Sequence, residues 1–134
     1  MSDELLQKGQ DIRRSVLGDE YVDRVSAIAP DAFGADFQKL VGEYCWGACW
    51  GRDGVERKTR SLLVISILGT LGRMEEFALH FRSAFVNNDC TLAELEDTLF
   101  HIGVYAGIPA GVEAHRVARR VIAEEQAKQA GGTA

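Results

Sequence analysis

An all-α fold follows from three observations on this 134-residue chain. No segment alternates apolar and polar residues over the length of a strand, and apolar residues recur instead at three- and four-residue spacings. The two prolines, Pro30 and Pro109, both stand where a helix can begin. Gly18, the GRDG stretch and GIP at 107–109 punctuate the periodic segments. The expectation is a compact bundle of about seven helices in a single domain over residues 1–134, ending in a flexible tail at 128–134.

Each element has its own signal. Ser2 is placed to cap a first helix through about Val16, with Leu5, Leu6, Ile12 and Val16 on its apolar side, and Gly18 stops it. Asp19 opens a short second helix carrying Val22, Val25 and Ile28. A third helix is expected from about Asp31 to Trp50, turning Phe33, Phe37, Leu40 and Val41 to the core, before a turn at 51–54. The fourth, from about Glu56 to Leu71, begins basic and is almost wholly apolar from Leu62, the pattern of a central helix with only its first turns wet. A fifth spans about Met74 to Val86. Thr91 followed by Glu94 is a capping box for a sixth helix to about Ala106, and a last helix runs from about Pro109 to Ala127.

Composition narrows the function classes. A net charge of −5 argues against a general nucleic-acid binder, because phosphate binding needs a basic face. The polar N-terminal stretch MSDELLQKGQDIRR is no secretory signal, and no apolar run is long enough to span a membrane. Three cysteines and an adequate core predict a reducing, cytoplasmic setting.

The stretch CWGACWGRDGVERKTRS at 45–61 is open to two readings. Cys45 and Cys49 share one helix face and Trp46 and Trp50 the neighbouring one, as a packed face would arrange them. A redox pair is the alternative. However, thioredoxin-type sites place C-x-x-C at a helix start, where the dipole stabilises a thiolate. Here three residues separate the thiols, late in the expected helix. His80, His101 and His115 are scattered, with no zinc spacing, and no nucleotide-binding glycine motif is present, so neither metal nor cofactor is expected.

Acid, base and anion-binding candidates gather elsewhere. Arg73, Glu76 and His80 fall at i, i+3 and i+7, one stripe of one helix. A carboxylate one turn from an imidazole is expected to orient it and raise its pKa, which would make His80 a proton donor near neutral pH. A solvated face with ordinary pairs is the bland counterpart. Arg57, Lys58 and Arg60 crowd a helix start where cations oppose the dipole, so an anion or acidic surface should compensate. Arg60, one turn before Leu63 and Val64, suits a bidentate carboxylate at the edge of an apolar pocket. His101 lies among Leu99, Ile102 and Val104, either a satisfied core residue or a pocket group, and Tyr105 is placed to donate into a pocket or to pack.

Four segments together carry a resemblance: IRRSVLGDEYVDR (12–24), WGACWGRDGVERKTRSLLVISIL (46–68), LGRMEEFALHFRSAFVNN (71–88) and TLAELEDTLFHIGVYAGIPAGVEAHRVA (91–118). From about Gly9 to Glu125 the chain resembles the carboxymuconolactone decarboxylase family in its small stand-alone form, with an alkylhydroperoxidase-D-like helical fold. The resemblance implies a ring-forming homo-oligomer, typically a hexamer, working in cytoplasmic aromatic catabolism through the β-ketoadipate route. It implies cofactor-free conversion of 4-carboxymuconolactone, a dicarboxylate lactone, to 3-oxoadipate enol-lactone. It makes His80 the acid, Glu76 its orienting group, Arg60 and Arg73 the carboxylate binders, and His101 and Tyr105 further pocket candidates. The thiol-redox branch of the superfamily carries C-x-x-C-x-x-x-H on the comparable helix. If His80 matches that histidine, Arg73 and Glu76 occupy the cysteine positions, which leaves a thiol-dependent peroxidase or reductase activity only Cys45 and Cys49. One departure stands out: the decarboxylases tend to place an acid between the two tryptophans, where this chain has Ala48. It points to a related lactone as an alternative substrate.

Overall fold

A computed structural model of the chain describes residues 2–28 and 32–132, and every regular element within them is helical. The chain forms two compact units, Met1–Arg57 and Lys58–Ala134. Pro30 and Asp31, the expected start of the third helix, lie outside the described residues, as do 133 and 134 of the tail.

In the first unit, α1 (Asp3–Leu17) begins as the sequence predicts, with Ser2 Oγ accepting from the Leu5 N–H at 3.1 Å. Gly18 ends it with a positive φ (93°) that suits glycine while its N–H donates to Arg14 O, and α2 (Asp19–Ile28) follows at once. Arg14 reaches forward to both Asp19 (3.1 Å) and Asp23 (2.8 Å), tying the α1–α2 corner.

The expected third helix is two elements. A short α3 (Ala35–Val41) runs into a π-helical segment, Gly42–Cys49, marked at its end by the Trp50 N–H bonding Cys45 O five residues back. Glycine explains how the π segment packs. A Cβ on Gly9 of α1 would stand 1.9 Å from Gly42 O, and one on Gly47 would stand 2.8 Å from Leu5 O. The two backbones therefore meet where there are no side chains to part them. Within the wider turn Trp46 and Trp50 are both buried, their ring centroids 5.1 Å apart. The expected core face of α3 is not one: Phe33 is 95% exposed, and Phe37 and Leu40 are exposed too. The glycine-lined seam takes that place in the packing.

The second unit is built from α4 (Arg57–Leu71, shared at its first residue), α5 (Met74–Val86), α6 (Leu92–Tyr105) and α7 (Ile108–Gly132). Its core joins Ile65 of α4, Phe77 and Phe81 of α5, Leu95, Leu99 and Ile102 of α6, and Ala114, Val117 and Val121 of α7. Thr91 closes the predicted capping box at α6: its Oγ1 accepts from the Glu94 N–H, and Glu94 accepts from the Thr91 N–H. Gly107 (φ 115°) turns the chain into α7, and the close approach of Gly103 and Gly111 lets the two helices begin nearly in contact.

Two expectations are corrected here. The apolar stretch of α4 is not buried all round: Ser61, Ile65 and Gly69 form its inner stripe, while Leu63, Ile67 and Leu71 are exposed. The tail is helical through Gly132 rather than loose from 128. Arg82 of α5 holds the last turns of α7, through Nη2 to Glu124 and Nε to Glu125, both at 2.9 Å.

Candidate active site

Helix α5 sets the candidate stripe. Arg73 stands at its N-cap with a non-helical backbone, Glu76 is in the first turn, and His80 follows one turn later. Phe77, Ala78 and Phe81 face the core, which carries His80 to the boundary between core and surface. Its Nδ1 atom is buried.

That position reverses the expected pKa. Burial lowers the imidazole's value from the ordinary 6.5 to about 4, because the cationic form loses its hydration; the Glu76 carboxylate raises it, but by less. His80 is therefore a neutral imidazole at neutral pH, not an imidazolium ready to give up a proton. Sequence spacing places Glu76 one turn from it but does not reveal the desolvation that dominates.

Arg60 is half-buried on α4, one residue before the fully buried Ser61, and Arg73 is exposed. The neighbouring basic residues have partners. Lys58 Nζ lies 2.9 Å from Glu94 Oε2, and Arg57 donates to Ser15 Oγ. The compensating acid anticipated for this basic helix start is thus supplied, for Lys58, by the N3 position of α6. Lys58 and the capping bond to Thr91 together hold the Glu94 carboxyl down at about 2.

His101 and Tyr105 come together on α6, with rings nearly parallel and centroids 6.4 Å apart. Neither is a core residue: His101 is exposed, and Tyr105 is 86% exposed. The Nδ1–H of His101 donates to Asp97 O at 2.8 Å. His101 also lines a cavity of about 390 Å³ with Leu62, Ser66, Glu94, Asp97 and Thr98. Two carboxylates in that wall disfavour an anionic occupant.

Cys45 and Cys49 are free thiols, half-buried and exposed respectively. Burial, aided by the neighbouring Cys49, pushes the Cys45 thiol up, the direction opposite to that of an activated nucleophile. Cys90 is buried in the loop before α6 and also raised, chiefly by burial. Among the described residues, no three histidine, cysteine or acidic side chains stand close enough to hold a metal ion, and no helix is long and apolar enough to cross a membrane.

One group escaped the sequence reading. Glu43, on the first turn of the π segment, is a buried carboxylate only 6% exposed, and it precedes the exposed Ala48 by five residues. Ala48 is exposed where Glu43 is buried, so Glu43 does not stand in the place of an acid at 48, and no signal in the spacing marks its burial.

The sequence model of the carboxymuconolactone decarboxylase family matches residues 35–120, well over half of the chain. A 4-carboxymuconolactone decarboxylase of Acinetobacter baylyi is 40% identical over 122 residues, covering 90% of each chain. A nitrosuccinic acid decarboxylase of Metarhizium robertsii is 36% identical over 118 residues, covering 88% of this chain and 81% of that one. An uncharacterized 15.0 kDa protein of Paracoccus denitrificans is 33% identical over 85 residues, 62% of this chain and 63% of its own. The chain belongs to the carboxymuconolactone decarboxylase family.

Proposed function

We propose that this member of the carboxymuconolactone decarboxylase family is a cofactor-free carboxy-lyase converting 4-carboxymuconolactone to 3-oxoadipate enol-lactone and carbon dioxide. The observation that carries the reading is the 40% identity, over 90% of both chains, to a decarboxylase named for that substrate. The chemistry asks little of the protein. The bond to the departing carboxylate breaks, and its electron pair passes through the conjugated double bond onto the lactone carbonyl oxygen. A proton added at carbon then completes the enol-lactone. The protein must bind two carboxylates, stabilise the dienolate oxyanion, and let the proton in.

In this account Arg60 and Arg73 hold the carboxylates. His80 is the oxyanion donor: a neutral imidazole with a buried Nδ1 can direct an N–H at developing negative charge without first being charged. Glu76, one turn away, orients the ring. His101 and Tyr105 hold no carboxylate in this account, since Glu94 and Asp97 stand beside His101, and Cys45 and Cys49 have no chemical part.

The assembly is a homo-oligomeric ring, as a hexamer, in the cytoplasm, serving aromatic catabolism through the β-ketoadipate route. The exposed apolar stripe Leu63, Ile67 and Leu71 on α4, with Val104, Ile108 and Val112 around the α6–α7 turn, supports association through those faces. A second reading rests on the 36% identity to the nitrosuccinic acid decarboxylase, in which the electron pair left by carbon dioxide goes onto a nitro group instead of a lactone. Assaying both acids with the purified protein separates the readings. Enol-lactone formation at the higher kcat/KM supports the first; turnover of nitrosuccinate alone replaces it with the second.

A further inference from the structure

Within the first unit, α1, α2, α3 and the π segment line an open cavity of about 550 Å³, a volume suited to a small organic molecule. Its wall is mixed in a specific way. Arg13 and Lys39 line it from α1 and α3, Gln10 and Gln38 stand beside them, and Trp46 and Val25 supply apolar surface. No carboxylate is among the described residues of the lining.

Two neighbouring cations of this unit are engaged elsewhere. Arg14, adjacent in sequence to Arg13, is saturated by Asp19 and Asp23, and Lys8 donates to Gly51 O at 2.9 Å. Arg13 and Lys39 make no such bond among the described residues. Gln10 and Arg13 stand on the same face of α1 as Leu6, at i+4 and i+7 from it, so one helix face presents an apolar residue, an amide and a guanidinium to the same space. Two cations with no ion pair among the described residues and two amides beside an indole wall form a receptor for negative charge on an apolar body.

We propose that this cavity is a binding site for a small organic carboxylate with a planar or apolar body, its carboxylate held by Arg13 and Lys39 and its body against Trp46. The occupant is a non-reacting carboxylate that modulates the protein, because the reacting substrate's carboxylates are held by Arg60 and Arg73.

Benzoate is the probe and benzyl alcohol its uncharged match, titrated into the full-length protein by calorimetry with the joint fluorescence of Trp46 and Trp50 followed in parallel. The expected result is saturable benzoate binding that benzyl alcohol does not reproduce, weakened roughly tenfold or more in Arg13→Ala and in the exposed-site variant Lys39→Glu. Circular dichroism and the thermal midpoint establish that each variant is folded, and Lys39→Glu keeps the test alive if Arg13→Ala is not. Absence of saturable binding, or benzoate affinity unchanged in a folded Lys39→Glu protein, overturns the proposal. Turnover of 4-carboxymuconolactone supplies a second readout: a benzoate-dependent change in kcat at constant KM that disappears in the variants is expected, whereas competitive inhibition lost in the variants together with a raised KM would overturn the modulatory role.

Discussion

Glu76 stands one turn ahead of His80 on α5, yet its carboxylate raises the imidazole's proton affinity by less than burial lowers it, leaving a pKa of about 4. The sign of that balance decides which form of the histidine works. If the neutral imidazole is the active form, kcat/KM is level from about pH 7 to about pH 5.5 and falls as His80 gains a proton near 4. A rate that climbs on acidification through the same range would show that the imidazolium is required.

The same group links pH to stability. Its folded pKa lies below the ordinary 6.5, so between about 6.5 and 4 the unfolded chain takes up a proton that the folded chain refuses. The neutral-His80 contribution is complete above 6.5 and is lost as pH falls through that window, by up to about 3 kcal/mol. Urea midpoints measured across the window should fall more steeply for the wild type than for His80→Gln. Equal slopes would mean the ring is hydrated.

Gly9 is the most constrained position in the first unit, since a Cβ there would stand 1.9 Å from Gly42 O. Gly9→Ala should cost about 3 kcal/mol or more, because backbone rather than a flexible side chain has to move. Gly131→Ala, helical with nothing within 4 Å, should instead gain a few tenths to about 1 kcal/mol. Thermal midpoints of the two variants should therefore move in opposite directions.

Thr91→Ala removes the Oγ1 acceptor from the Glu94 N–H and should cost about 1 kcal/mol, read by denaturant unfolding. Glu94→Gln leaves that backbone cap in place and removes the Lys58 ion pair, so its effect should shrink at high salt while that of Thr91→Ala does not.

Local punctuation is what the sequence makes legible. Ser2, Gly18, and Thr91 with Glu94 each act within one turn, and α1, α5 and α6 begin or end within a residue or two of where those signals place them. The long-range features are not legible. An α-helical periodicity assigned Phe33, Phe37 and Leu40 to the core because it had no means of detecting the glycine seam of Gly9, Gly42 and Gly47. The apolar run of α4 read as buried all round, since composition does not say which stripe meets the second unit's own core and which, through Leu63 and Ile67, faces outward. At the candidate site, the Arg73, Glu76 and His80 spacing was readable, but the pKa of His80 was not, because burial is set by packing rather than by spacing.

The most direct test is to incubate the purified protein with 4-carboxymuconolactone and follow enol-lactone formation, before and after alkylation of its thiols. This account predicts turnover that survives alkylation and the Cys45→Ser, Cys49→Ser double variant, and that collapses in His80→Ala. Turnover abolished by the cysteine variant, or running at full rate in a His80→Ala, Glu76→Ala double variant, would contradict it.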